Sequence, residues 1–557
     1  MSTWILPLGI LGAAVAIEWP LSWYMQNVFD TDNKSPFMRR WNHWLEVLLG
    51  RSNSNASVTW AAYCRSMLIF NYCMFVLVFM VLSFQDYLPI NPDGKPGLEP
   101  TLAFNTAISF ITNTNLQHYS GEVSLSYFSQ LSLMWLQFVS AATGIAVLVA
   151  VARAMSGSKS MGDFYRDVAT ASLLVLLPLS AFVSICLILG GVPMTLSGAV
   201  EATTLEGATQ TIARGPVAAF VAIKQLGSNG GGFYGPNSAH PLENPTFWTN
   251  VISNVCILII PMASVWMFGR IAKRLPHSHV VFIVMLLLLV GLVGYANYCE
   301  QQPSIALNDL PVTAQANLEG KELRFGMSAG PTWAVATTAT SNGSVNAMHD
   351  SLNPLTGLAP MFGMWLNVIF GGCGVGMLNM FLFIVVAVFL AGMMVGRTPE
   401  YLARKIEAHE MKLALLTILS HPLFILGGIA LFAATSWGRD TLNNPGSHGL
   451  SEIIYEFSSA AANNGSGFEG LGDNTPPWNI ATGLVMLFAR FIPIIAPMAI
   501  AGSLNAKRAT PEGAGTFRTD SWMFGVILLG TVLIVGALLF LPLAVLGPIA
   551  EYMQAAQ

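Results

Sequence analysis

The sequence predicts an all-α polytopic membrane protein with ten transmembrane helices, and three observations carry that reading. Of its 557 residues 54% are hydrophobic and only 10% are charged, with a mean hydropathy of +0.58; a soluble chain of this length cannot hide so much apolar surface. Apolar stretches of about 20 residues, enough to cross a hydrocarbon core of about 30 Å, recur at 4–26, 62–84, 126–152, 168–191, 246–268, 278–298, 360–395, 412–436, 477–502 and 522–548. Four further stretches, at 101–111, 216–226, 332–340 and 451–461, are helix-capable but short. About 10 helical residues cover only about 15 Å, so each can dip into the bilayer and return but cannot cross it.

The elements follow in order. An extra N-terminal span with its loop (1–61) precedes four units at 62–152, 168–268, 278–395 and 412–502, and an extra C-terminal span and tail (522–557) closes the chain. Each unit reads as helix, re-entrant pore loop, helix. The expected architecture is four such pseudo-repeats around a central pore, with one extra helix at each end. No basic segment, short apolar run and small-residue cleavage site opens the chain, so the first span is expected to be retained. Loops 27–61, 153–167, 269–277, 396–412 and 503–521 hold 17 of the 25 Lys and Arg residues, against six in the opposite loops. The positive-inside rule then puts both termini outside. The outer loops also hold 17 Asp and Glu residues, an acidic mouth that concentrates cations within the limit set by salt screening.

Each short stretch ends in a bend: Thr112-Asn113-Thr114, Ser228-Asn229-Gly230, Ser341-Asn342-Gly343 and Asn463-Asn464-Gly465. The central Asn residues are 116, 113 and 122 positions apart. Read singly, an Asn-Gly bend is a common turn. Four of them, each after a half-membrane helix and between two spans, predict a ring of backbone carbonyls around one dehydrated cation, as in potassium-selective filters. Gly230, Gly231, Gly232, Gly343, Gly465 and Gly467 allow the positive φ angles and close approach that such loops need. Each short helix aims the negative end of its dipole at the ion. The first bend has Thr114 where the others have Gly, so the ring is expected to be only pseudo-four-fold.

Below the bends, Phe370-Gly371-Gly372-Cys373-Gly374-Val375-Gly376 interrupts the seventh apolar stretch. Glycine costs about 1 kcal/mol against Ala in a helix, so Gly371, Gly372, Gly374 and Gly376 predict an unwound gate; close helix packing at small residues is the other reading. Arg490 lies mid-span, where a charge costs at least about 2.5–3.5 kcal/mol. It is expected to face inward and hold carbonyls of 370–376, rather than snorkel to an interface. Its charge would also oppose straight passage of cations.

Other classes find little support. The six Cys residues and the His residues, including His277 and His279, show no ligand spacing. Small apolar packing is the expected role of the cysteines. No Asp-Lys-Thr-Gly-Thr phosphorylation motif and no phosphate-binding loop occurs, so any ATP chemistry belongs to a partner. Nothing suggests nucleic-acid binding, and a membrane enzyme would need clustered acid, base or metal-binding residues at depth.

Thr112–Gln117, Gly227–Phe233, Asn237–Pro245, Glu319–Glu322 with Arg324–Gly326, Ala347–Ser351, Arg397–Leu402 and Met498–Leu504 resemble the signature stretches of KdpA. That family comprises the potassium-binding subunits of bacterial Kdp potassium-transporting P-type ATPases. The resemblance spans essentially the whole chain. It implies potassium as the transported ligand, no organic cofactor and a place in the bacterial plasma membrane. It also implies three partners: an ATP-hydrolysing P-type subunit, a single-span accessory subunit and a small membrane peptide. On this resemblance the carbonyls of the four bends hold potassium, Gln117 flanks the filter, and the ion leaves through an intramembrane tunnel. Three positions depart from the family pattern: Leu116 stands for an aromatic residue, Asn342 for a Cys found in some members, and Asn367 for a carboxylate of several relatives. A self-sufficient, gradient-driven potassium transporter of the same superfamily is the alternative; the two terminal spans and the signature stretches weigh against it.

Overall fold

The protein was analysed as a computed structural model, which describes residues 2–30, 35–49, 58–303, 316–396, 398–509 and 517–555. Arg397 of the Arg397–Leu402 stretch, and Gly513 and Gly515 of the polar 503–521 loop, lie outside the described residues. Among the described residues ten helices are long and apolar enough to cross a membrane. The chain starts with α1 (Ile5–Phe29) and the amphipathic α2 (Pro36–Leu49). Next come α3 (Trp60–Ser83), the short α4 (Pro100–Ile111) and α5 (Tyr127–Met155). The second set is α6 (Phe164–Leu189), α7 (Val217–Leu226) and α8 (Phe247–Ile271). The third is α9 (Leu275–Glu300), α10 (Ala329–Ala339), α11 (Pro354–Leu366) and α12 (Val375–Val395). Then follow α13 (Ala408–Ala434), α14 (Gly446–Ala462), α15 (Pro476–Ala506) and finally α16 (Trp522–Ala555). A hairpin of β1 (Val200–Thr203) and β2 (Thr209–Ile212) lies between α6 and α7.

Burial separates the spans into two shells. The spans entering each set, α3, α6, α9 and α13, are 22–44% buried, whereas the closing spans α5, α8, α12 and α15 are 56–89% buried. The closing spans therefore form the inner wall and the entering spans face outward. The short helices α4, α7, α10 and α14 are buried along almost their whole length, polar residues included. The first of them is capped by its own sequence: Pro100 opens α4, and the Glu99 carboxylate accepts the N–H groups of Thr101 (2.8 Å) and Leu102 (2.9 Å).

The terminal spans are tied to this assembly from outside. α1 runs along α8; the buried Glu18 accepts the indole N–H of Trp266 at 2.9 Å, and the Arg270 guanidinium lies 4.5 Å above the Trp19 ring. α16 packs against α9, α11 and α12.

Two expected elements differ in extent. The seventh apolar stretch is two helices, α11 and α12, separated by 367–374, because left-handed backbone at Asn367, Phe370, Gly371, Gly372 and Gly374 cannot continue a helix. The fourth short helix, α14, has 17 residues rather than about 10. At about 1.5 Å per residue it is about 25 Å long, and its polar first turn, Gly446-Ser447-His448, hid its start from a hydropathy reading.

Candidate ion site and the break beneath it

The four bends meet in a ring, and their backbone conformation sets the register. Positive φ angles alternate through each: Asn113 and Asn115, Ser228 and Gly230, Ser341 and Gly343, Asn463 and Gly465. The hydrogen bonds agree. The N–H groups of Thr114, Asn229, Asn342 and Asn464 reach back to the carbonyls of Ser109, Lys224, Thr337 and Ser459, at 2.9, 2.9, 2.7 and 2.9 Å. The next N–H, of Asn115, Gly230, Gly343 or Gly465, turns the same way, to Ser109 O, Lys224 O, Thr337 Oγ1 or Ser459 Oγ. Consecutive N–H groups on one side leave the carbonyls on the other, as alternating handedness requires. Thr114, not Asn113, is thus the counterpart of Asn229, Asn342 and Asn464, and Asn115 is the counterpart of the three glycines. The Asn-to-Asn spacing placed the first bend one residue out of register.

The ring closes in chain order. A Cβ on Gly230 would fall on the carbonyl of Asn342, one on Gly343 on that of Asn464, and one on Gly465 on that of Thr114. In the first loop Asn115 carries a Cβ, and the neighbouring loop makes room: a Cβ on Gly231 would lie 2.8 Å from that of Asn115. Side-chain amides stitch each loop to its predecessor. Asn229 Nδ2 donates to Asn113 Oδ1 (2.6 Å), Asn342 Nδ2 to Lys224 O (3.0 Å) and Asn464 Nδ2 to Thr337 O (2.9 Å). Asn463 Nδ2 ties the last loop to Thr114 Oγ1 at 2.9 Å, and Thr112 Oγ1 lies 2.8 Å from the same hydroxyl.

The carbonyls fall into layers. Gly230 O accepts a bond from Asn237 Nδ2 (2.7 Å) and Ser228 O one from Asn113 Nδ2 (2.7 Å). Between these lies the layer of Thr114, Asn229, Asn342 and Asn464, whose four carbonyls accept no hydrogen bond among the described residues. Four equivalent oxygens with free lone pairs at the C-terminal ends of four helices have the chemistry that a dehydrated cation needs.

Outside the ring, Gln117 holds loop two by both ends of its amide: Gly232 N donates to its Oε1 (2.8 Å) and its Nε2 donates to Gly232 O (3.1 Å). Gln137 Nε2 bridges Asn115 Oδ1 (3.0 Å) and Gly231 O (3.3 Å). Behind loop two, the fully buried Lys224 donates to Glu243 and to Asn237 Oδ1 (2.7 Å), while Glu243 accepts the N–H groups of Phe233 and Tyr234. Sequence reasoning missed Asn115, Asn237 and this ion pair. The enrichment of Asn in left-handed backbone was the one signal for Asn115; the pair, 19 residues apart, gave none.

Part of the acidity expected at the mouth is consumed in this support. Glu243, Glu300, Glu452 and Glu456 are at most 1% exposed. Glu300 pairs with Lys321 at 2.5 Å, and Glu452 accepts the N–H groups of Asn443 and Asn444. Glu469 accepts those of His349 (2.7 Å) and Asp350 (3.3 Å), and burial pushes its carboxyl up to about 7.

Beneath the ring, the break 367–374 folds under loops two and three. Gly371 N donates to Ala339 O (3.0 Å), the Cys373 thiol to Leu226 O (3.3 Å), and a Cβ on Gly372 would lie 3.3 Å from Thr340 O. Gly376 lies in the first turn of α12, where its missing side chain admits the Phe370 carbonyl. Asn367 Oδ1 accepts the Ser341 hydroxyl at 2.9 Å. Arg490 is buried, but its partner differs from the expected one: Nη2 donates to Ser140 O of α5 at 3.4 Å. It sits close to the break all the same, because a Cβ on Gly144 of α5 would contact both Cys373 O and Arg490 Nη2.

Ten spans with four re-entrant helices converging on a carbonyl ring define the class: a pore-loop transporter of the membrane. The family described as KdpA, potassium-transporting ATPase A subunit, matches residues 8–553. A protein of Geobacillus kaustophilus named potassium-transporting ATPase potassium-binding subunit is 48% identical over 545 residues, 97% of each chain. Proteins of the same name from Flavobacterium psychrophilum and Flavobacterium johnsoniae are 46% and 45% identical, over 98% of each chain. The chain belongs to the KdpA family. The crystal structure of the potassium transporter TrkH from Vibrio parahaemolyticus shares the fold, with a TM-score of 0.51 at 15% identity, covering 89% of this chain and 96% of that one.

Proposed function

We propose that this chain is the potassium-binding and translocating subunit of an ATP-driven uptake complex. The observation that carries the reading is the layer of four equivalent carbonyls, Thr114, Asn229, Asn342 and Asn464, which accept no hydrogen bond among the described residues and lie in loops tied to one another by side-chain amides. Carbonyl dipoles replace the hydration shell of potassium without a fixed full charge that would trap the ion. The adjoining carbonyls of Thr112, Asn113, Ser228, Ser341 and Asn463 extend the path, and Gly230, Gly343 and Gly465 shape it.

Both termini face the outside of a bacterial plasma membrane, so the ring opens outward. Gly371, Gly372 and Gly374 close the floor, and the Arg490 charge opposes straight descent of a cation. The ion instead turns aside beside Asn367, where a cavity of about 50 Å³ is lined by Asn367, Asn379, Thr417 and His421 amid apolar residues. From there it reaches a P-type ATPase subunit, which supplies the free energy; a single-span subunit and a small membrane peptide complete the complex.

Potassium uptake into vesicles containing this chain, with and without the P-type subunit and ATP, tests the proposal. Uptake is expected only with both. ATP-independent uptake by the chain alone would instead make it a gradient-driven transporter.

A further inference from the structure

His118, Glu456 and Asp473 come from three separate elements: the segment after the first bend, the re-entrant α14, and the loop before α15. His118 Nε2 lies 3.2 Å from Glu456 Oε1 and 3.8 Å from Asp473 Oδ2, and the three ligand atoms lie within 4.8 Å of one another. The imidazole is fixed from behind. Its Nδ1 is 2.7 Å from Asn479 Oδ1, and Asn479 Nδ2 is used by Thr101 Oγ1 (3.2 Å) and Asn474 Oδ1 (3.4 Å). An amide oxygen at Nδ1 places a proton there and turns Nε2 toward the two carboxylates. An imidazole nitrogen and two carboxylates facing one point call for positive charge among them, which a proton on Nε2 or a bound cation would supply. A proton on Nε2 would serve Glu456 but leave Asp473, at 3.8 Å, outside hydrogen-bond range. His118 and Glu456 are buried whereas the Asp473 side chain is 26% exposed, which leaves an approach from outside.

We propose that His118, Glu456 and Asp473 bind a divalent transition-metal ion of the zinc class. One imidazole and two carboxylates are borderline-to-hard ligands that suit such an ion, and their two negative charges match its two positive ones. The Asn479 amide behind the imidazole is the outer support that metal-bound histidines ordinarily have. The ion would clamp the seam between the first and last loops, where the ring is joined by the Asn463 amide on a hydroxyl rather than by an amide on a backbone carbonyl. The site stands whether or not the ring carries potassium. Sequence separation of more than 300 residues concealed it.

The test is titration of the detergent-purified full chain with Co²⁺ alone, followed by visible absorption. One Co²⁺ per chain with nitrogen–oxygen coordination and no thiolate charge-transfer band is expected. His118→Ala should abolish that signal and Asn479→Ala should weaken binding about 10- to 100-fold. Asp473→Asn, at a partly exposed side chain, should weaken it as well and serves if the His118 variant does not fold. Mg²⁺ at equal concentration should not displace Co²⁺; displacement would overturn the zinc-class assignment. Absence of the nitrogen–oxygen signal in the wild type, or its survival in both His118→Ala and Asp473→Asn, overturns the site and leaves an imidazolium ion pair.

Discussion

The first loop of the ring and the other three reach one backbone geometry by different means. Loops two to four put glycine at the second left-handed position, each pressed on the carbonyl of the next loop. Loop one puts Asn115 there, and the space its side chain needs is provided by Gly231 across the seam. The difference teaches that the repeat is conserved as a pattern of backbone handedness and hydrogen bonds, while the residue that satisfies it changes hands between neighbours.

Four variants break or sharpen that comparison, the largest effect first. Loop two is braced from behind by the buried Lys224–Glu243 ion pair. Lys224→Met leaves Glu243 uncompensated and should cost about 3–5 kcal/mol of stability, read as a large fall in the thermal unfolding midpoint. Lys224→Met combined with Glu243→Gln should be milder than the single change; an equal or greater loss would show that the charge balance is irrelevant. In loop three, Gly343→Ala meets both a φ of +95° and the Asn464 carbonyl. Strain of about 1–3 kcal/mol should weaken potassium-stimulated ATP hydrolysis of the assembled complex by roughly 5- to 150-fold in apparent affinity. Unchanged affinity would remove loop three from the site.

The seam offers a sharper test. Gly231→Ala should weaken potassium affinity by roughly tenfold, because the added methyl meets Asn115 Cβ and the Phe110 ring. Adding Asn115→Gly should restore part of the loss; strict additivity would refute the exchange between loops one and two. The smallest effect belongs to the outer rim, where His448 lies 2.8 Å from both Asp350 and Glu551. Burial alone would lower its pKa, but these two carboxylates raise it from 6.5 to about 10. A raised folded-state pKa means that the stabilisation is complete below about pH 6.5 and is lost as pH rises through about 10. The unfolding midpoints of wild type and His448→Gln should therefore converge between pH 6.5 and 10.

The spans, the first three short helices and the glycine break were legible because each writes itself in contiguous residues: apolar length, an apolar run too short to cross, four glycines in six positions. Features that depend on distant residues were not. The first bend was aligned on Asn113 because identity was matched, whereas φ angles and hydrogen bonds align Thr114. Arg490 was legible as buried, but its choice of Ser140 O depends on how α5 and α15 pack. The outer acidic residues read as solvent-facing charge, yet Glu243 and Glu300 balance the buried Lys224 and Lys321. Local patterns reported where backbone goes; they could not report which charges meet.

Because all four quarters of the ring are written in one chain, a substitution alters one quarter and leaves three. A ring assembled from identical copies has no such choice, since every change there is made four times at once. Inheritance can therefore adjust this ring one quarter at a time, and the Asn115–Gly231 contact is an asymmetry that a ring of identical copies could not hold at a single seam.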